Sequence, residues 1–207
     1  RINLQLLRRR LGETAEAPNV ARALEAIARN VDHLEGRIDD LQQAADIGSG
    51  EFSLRLGRCD LAKLARDVIA EQEKTVPGQS HTLALSTPGD LAGEWDRDRV
   101  HQALANLVSY ALKSSPAGTT VAVTVDRAGD AAVVTVTDQG AGFAPEDRDE
   151  LFRPLGRRCQ EPPVKGTGLE LFIVKGIVAA HGGRVWAESA GPGQGSRFGF
   201  SLLLTRV

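Results

Sequence analysis

Val133-Val134-Thr135-Val136-Thr137-Asp138-Gln139-Gly140-Ala141-Gly142 is the stretch on which the fold turns. Its β-branched run reads as a strand. The strand ends on a carboxylate, and two glycines separated by one residue follow at once. A carboxylate at a strand end can accept a hydrogen bond from an exocyclic amine such as N6 of adenine. The glycines Gly140 and Gly142 let the backbone approach a flat ring or a phosphate closely. Taken alone, the same residues equally fit a tight turn in which Asp138 bonds its own backbone.

Working outward, residues 119–126 and 131–138 pair as two strands around Ala128-Gly129-Asp130. Before them, residues 96–114 read as a helix with Val100, Leu104, Leu107, Val108 and Ala111 inside. Asp60 is an N-cap for a helix carrying Leu61, Leu64, Ala65, Val68 and Ile69. Residues 52–56 and 81–86 alternate as short strands. After the Asp138 turn comes a polar, Gly/Pro-containing stretch, 140–166. A helix at 169–180, a strand at 184–188, a glycine-rich turn at 191–195 and a strand at 197–204 follow. Strands and helices mix without regular βαβ alternation, so the fold class is α+β, a sandwich rather than a doubly wound sheet.

Three further motifs carry chemistry. Lys165-Gly166-Thr167-Gly168-Leu169 opens a helix, where free backbone N–H groups and the helix dipole suit an anion. Its spacing is not that of a Walker A loop, and a plain entry loop fits it as well. Asn106, Tyr110 and Lys113 follow at i, i+4 and i+7 on one helix face. An asparagine carbonyl ligates Mg²⁺ and a lysine neutralises phosphate, although a solvated face has the same pattern. Gly193-Gln194-Gly195-Ser196 leads into a strand and reads as a hairpin turn.

In this order the four motifs resemble the N, G1, G2 and G3 boxes of the GHKL ATPase superfamily, most closely the catalytic domain of sensor histidine kinases. Residues 99–116 resemble the N box, Leu151-Phe152-Arg153-Pro154 the F box, and residues 166–183 the second glycine box with its helix. The resemblance implies a Bergerat-type sandwich with a mixed sheet. It implies ATP as ligand, with Asp138 reading the adenine amine, Gly140 and Gly142 shaping the base pocket, and Ser196 supporting the ring. Asn106 and Lys113 would face Mg²⁺ and the phosphates, with Asn106 as the metal ligand. Gly166, Thr167, Gly168 and Leu169 would wrap the phosphate tail. Residues 144–165 would be a mobile lid bringing Arg153, Arg157, Arg158 and Lys165 to the γ-phosphate. This chain departs from the family at three places. Tyr110 stands where a second asparagine is usual, Glu170 where a third glycine is, and Ser114 where a ring-stacking aromatic often is. Glu170 would repel a phosphate unless it points to solvent.

Upstream, Val20, Leu24, Ile27, Val31, Leu34, Ile38, Leu41 and Ala45 alternate gaps of four and three along a helix at 20–47. Such a heptad seam needs partners. Residues 1–12 supply one helix and a second copy the others, a dimeric four-helix bundle. The expected division is therefore a partial dimerisation stem at 1–48 and an ATP-binding domain at 49–207. By the resemblance, the family's phosphoacceptor histidine would lie on the first stem helix upstream of Arg1, cut away or never present; His33 lacks the Arg and Pro that follow in that motif.

The 207 residues suit one domain of about 150 residues with a smaller appendage. A net charge of −2 argues against a nucleic-acid or membrane-surface binder. Cys59 and Cys159 make neither a disulfide framework nor a zinc site, which fits a reducing, cytoplasmic setting. No apolar run spans a membrane and no signal peptide is visible. With no methionine, the chain reads as a piece of a longer protein. The expected activity is the kinase core of a two-component sensor, passing the γ-phosphoryl group of ATP to a stem histidine and on to a response regulator receiver domain. The alternative is a degenerate kinase that keeps fold and dimer and works as a scaffold.

Overall fold

The computed structural model describes residues 18–75, 81–87, 89–155 and 167–204. The expected first stem helix, together with Arg157, Arg158 and Lys165 of the lid and Gly166 of the second glycine box, lies outside them. The chain divides into two units, Arg1–Gln43 and Ala44–Val207.

Helix α1, Pro18–Ser49, covers the residues expected from the heptads. Within the first unit Leu24 is buried, whereas Ile27, Leu34, Ile38 and Leu41 of the same seam are exposed. The helix stops at Gly50, whose φ of +76° is costly for any residue with a Cβ. There the N–H of Glu51 turns back to the carbonyl of Asp46 at 3.1 Å.

In the second unit, β1 (Gly57–Asp60) pairs antiparallel with β3 (Ala92–Trp95). Helix α2 (Leu61–Thr75) follows β1, and β2 (Thr82–Ser86) precedes β3. Then come α3 (Arg97–Ser114), β4 (Thr120–Ala128), β5 (Ala131–Asp138), a 3₁₀ turn at Pro145–Asp147, α4 (Glu170–Ala180), β6 (Arg184–Glu188) and β7 (Ser196–Leu203). The main sheet has the order β2-β4-β5-β7-β6. Only β2 and β4 run parallel. Alternate residues point to one buried face: Val121, Val123 and Val125 from β4, Val134 and Val136 from β5, Phe198, Phe200 and Leu202 from β7. The three helices α2, α3 and α4 cover that face, the mixed-sheet sandwich expected. Each fully buried phenylalanine or leucine here contributes roughly 1.5–3 kcal/mol.

Helix α3 positions the site. Asp96 caps it by accepting from the N–H of Arg99 at 3.1 Å. Val100, Ala103, Leu104, Leu107, Val108, Tyr110 and Ala111 form its buried stripe. It ends before Pro116, since the residue preceding a proline disfavours helix. His181, just beyond α4, bonds at both ring nitrogens: its Nε2 accepts the N–H of Asp96 at 3.0 Å, and its Nδ1 lies 2.8 Å from the Ile177 carbonyl. The neutral tautomer with the proton on Nδ1 satisfies both bonds. It ties the end of α4 to the start of α3.

One expected strand is displaced. Residues 52–56 form no ladder. Phe52 packs beneath the Arg99 guanidinium, 4.7 Å from the ring centroid, and the N–H of Arg55 bonds the Asp96 carboxylate at 2.7 Å. Side chains have taken over the bonds a neighbouring strand would make. The pairing falls instead on Gly57–Asp60.

Candidate functional site

The residues singled out from the motifs gather around the C-terminal half of α3, in two groups. Asp138, at the tip of β5, is 4% exposed. Its Oδ1 accepts from the N–H of Gly140 at 2.7 Å and from that of Ser196 at 3.1 Å. Its Oδ2 is buried and has no partner among the described residues. Burial pushes the carboxyl pKa up to about 6, with the N–H groups of Gly140 and Ser196 pulling the other way. A buried acceptor without a donor costs folding free energy, about 1–3 kcal/mol for an ordinary polar group. It is also an opening for a donor from outside.

The surrounding turns hold that carboxylate in place. A Cβ on Gly140 would meet the Ser114 carbonyl at the end of α3 and the Asp138 carboxylate itself. Gly142 has φ +62°, and a Cβ there would run into the Gly191 carbonyl and the Ser189 hydroxyl. The Gly140–Gly142 turn is stitched to the 191–195 turn by Gly193 N–H to Ala141 O at 2.6 Å and Gly195 N–H to Gly140 O at 3.1 Å. Ser189 lies between the two. Its hydroxyl contacts the carbonyls of Gly191 and Gly195 and receives the N–H of Phe143. No motif marks Ser189, whose role depends on two turns meeting. Ser196 meets Asp138 through its backbone N–H.

In the second group, the last turns of α3 face the start of α4. Tyr110 does not share a surface with Asn106 and Lys113. It is 2% exposed and turned into the core, its ring edge-on to Phe198 with centroids 5.1 Å apart. Asn106 is half-buried, with its Nδ2 lacking a partner among the described residues. Thr167 Oγ receives the N–H of Leu169 at 3.3 Å, and Gly168 adopts φ +77°. Glu170 does not point to solvent. It is 5% exposed, its Oε1 lies 3.4 Å from the Lys113 ammonium, and its Oε2 accepts the N–H of Gly168 at 3.0 Å. Leu151 and Phe152 of the expected F box are buried, and Arg153 pairs with Glu150 at 2.6 Å.

The base end fits an adenine: an orphaned acceptor beside glycine turns with no room for side chains. At the phosphate end Tyr110 is turned into the core, and Asn106 keeps an amide nitrogen without a partner among the described residues.

Residues 95–206 match the family model described as histidine kinase-, DNA gyrase B-, and HSP90-like ATPase. The adaptive-response sensory kinase SasA of Synechococcus sp. (strain JA-2-3B'a(2-13)) is 31% identical over 176 residues, 84% of this chain and 46% of that protein. The sensor-like histidine kinase SenX3 of Mycobacterium tuberculosis (strain ATCC 25618 / H37Rv) is 29% identical over 196 residues, 93% of this chain and 47% of that protein. The chain thus spans about half the length of these relatives. Among solved structures, full-length ShkA in complex with AMPPNP superposes with TM-score 0.77 at 26% identity, covering 92% of this chain and 40% of that one.

Proposed function

Since this chain belongs to the histidine kinase-, DNA gyrase B- and HSP90-like ATPases and carries a catalytic core of the sensor histidine kinase type, we propose that it binds ATP and passes the γ-phosphoryl group to a histidine of a dimeric helical stem. A response regulator receiver domain then takes the group. The observation that carries the reading is the Asp138 carboxylate, buried with one oxygen fixed by two backbone N–H groups and the other without a donor. The N6 amine of adenine supplies that donor. Gly140 and Gly142 keep the ring side of the pocket clear, and Ser196 holds Asp138 in register. The phosphates extend toward Lys113 and the N–H groups of Thr167, Gly168 and Leu169, with Gly166 the preceding residue of the same motif. Asn106 is the candidate amide for a metal carried in with the phosphates.

The stem, residues 1–48, pairs with that of a second copy. Ile27, Leu34, Ile38 and Leu41 lie exposed along the seam that this pairing covers. The ATP-binding domain is residues 49–207. The setting is cytoplasmic, and no described helix is long and apolar enough to cross a membrane.

A second reading has its own support. Tyr110 sits in the core and Glu170 engages Lys113, so the phosphate end lacks the open, metal-ready surface of an efficient kinase. A degenerate kinase would keep the fold and dimer, bind nucleotide indifferently to magnesium and serve as a scaffold. Calorimetric titration with ATP, with and without Mg²⁺, separates the two. Binding strengthened by magnesium supports the kinase; binding that is absent or unchanged by magnesium contradicts it and supports the scaffold.

A further inference from the structure

The phosphate end of the site already holds an anion that belongs to the protein. Glu170 stands in the first turn of α4 with its carboxylate turned inward. One oxygen takes the Gly168 N–H at 3.0 Å, and the other the Lys113 ammonium at 3.4 Å. A backbone N–H at a helix start and a lysine from a facing helix are the two kinds of donor that a phosphate oxygen seeks. Gly168 is held on its other side as well, its carbonyl accepting the N–H of Leu155 at 3.0 Å.

We propose that Glu170 is a built-in substitute for a phosphate group, and that it sets which nucleotides the site prefers by competing with the phosphate tail for Lys113 and the Gly168 N–H. The proposal rests on the reading of α3 and α4 as the phosphate end. Two routes are open to an incoming phosphate, and both are unfavourable. If Glu170 stays, two like charges share one small space. If it leaves, it gives up a charge-assisted bond and an ion pair. It cannot withdraw inward, because the crevice between it and Tyr110, Leu151, Gly168 and Leu171 offers only about 10 Å³, barely a water. The base end, on Asp138, is untouched by this competition. The chain therefore gains far less affinity from each added phosphate than an open site would.

The rival account makes Glu170 an ordinary acidic residue favoured by the helix dipole. The two accounts part in a titration of the whole 207-residue chain with adenosine, ADP and ATP, repeated on Glu170→Gln and Glu170→Gly. Glutamine keeps the shape and one acceptor oxygen, enough for the Gly168 N–H, and removes the charge facing Lys113; a thermal melt of both variants verifies the fold. The expected result is about tenfold tighter ATP binding in E170Q, with the adenosine affinity unchanged within about twofold. E170G should move in the same direction. An ATP-to-adenosine ratio equal in all three proteins, with both ligands binding, overturns the role of Glu170 alone. Failure of every form to bind any adenine compound overturns the nucleotide reading itself, and this inference with it.

Discussion

The two ends of the candidate site are made from similar parts. Each has a buried carboxylate beside a glycine turn, and each carboxylate accepts from the backbone: Asp138 from two N–H groups, Glu170 from one. At the base end, Asp138 spends one oxygen on Gly140 and Ser196 and keeps the other without a partner. At the phosphate end, Glu170 has both oxygens engaged, by Gly168 and Lys113. The first arrangement leaves a lone pair for a ligand's donor. The second already occupies the donors that a ligand's anion needs. What a buried carboxylate does for a site depends less on its charge than on how much of its bonding capacity the fold has used.

The comparison is tested most severely at Tyr110. If the phosphate end has been absorbed into the core, Tyr110→Asn removes a ring packed on Phe198 and costs about 3–5 kcal/mol in urea unfolding, as other large-to-small core changes do. It should bring no gain in magnesium-dependent ATP binding. A well-folded variant with strong magnesium enhancement would show instead that this end is an open site with one wrong residue.

A smaller effect sharpens the base end. Gly142→Ala must tolerate φ +62° and separate the Gly142 backbone from Gly191 and Ser189. A loss of about 1–3 kcal/mol in stability, read by chemical denaturation, is expected. An alanine accepted without cost would mean that the two turns are not locked together.

The smallest effect is the pH response. The folded Asp138 pKa, about 6, is raised above its unfolded value. In the ligand-free chain this group therefore contributes stability at acid pH that is lost as pH rises through about 6. Ligand binding runs the other way, because the adenine amine needs the ionised acceptor. Adenosine affinity should fall about tenfold between pH 7.5 and pH 5, measured by calorimetry. An affinity flat over that window would remove Asp138 from the contact.

Much of this was legible in the sequence. Local signals sufficed where an element states its own period or cap: the heptads of α1, Asp60 before α2, Asp96 before α3, and the β-branched runs of β4 and β5. The order of the glycine motifs carried the fold class. β3 escaped because Ala92-Gly93-Glu94-Trp95 has almost no strand propensity and exists by pairing with β1. The strand expected at 52–56 moved because Asp96, far along the chain, captures the Arg55 N–H. Reading Tyr110 by its spacing from Asn106 placed it on the surface. Its spacing of three from the buried Leu107 would have placed it inside. The partners of Glu170 were beyond local reach, since Lys113 lies 57 residues away and meets it only through the packing of α3 on α4.

The central claim is that the unpartnered oxygen of Asp138 reads the adenine amine. It is tested most directly on the unaltered chain, by titrating it with ATP and with inosine triphosphate, which carries a carbonyl oxygen where ATP has the amine. The account predicts ATP bound about a hundredfold more tightly, the expected cost of facing a buried carboxylate with an acceptor instead of a donor. Equal affinity for the two would contradict it.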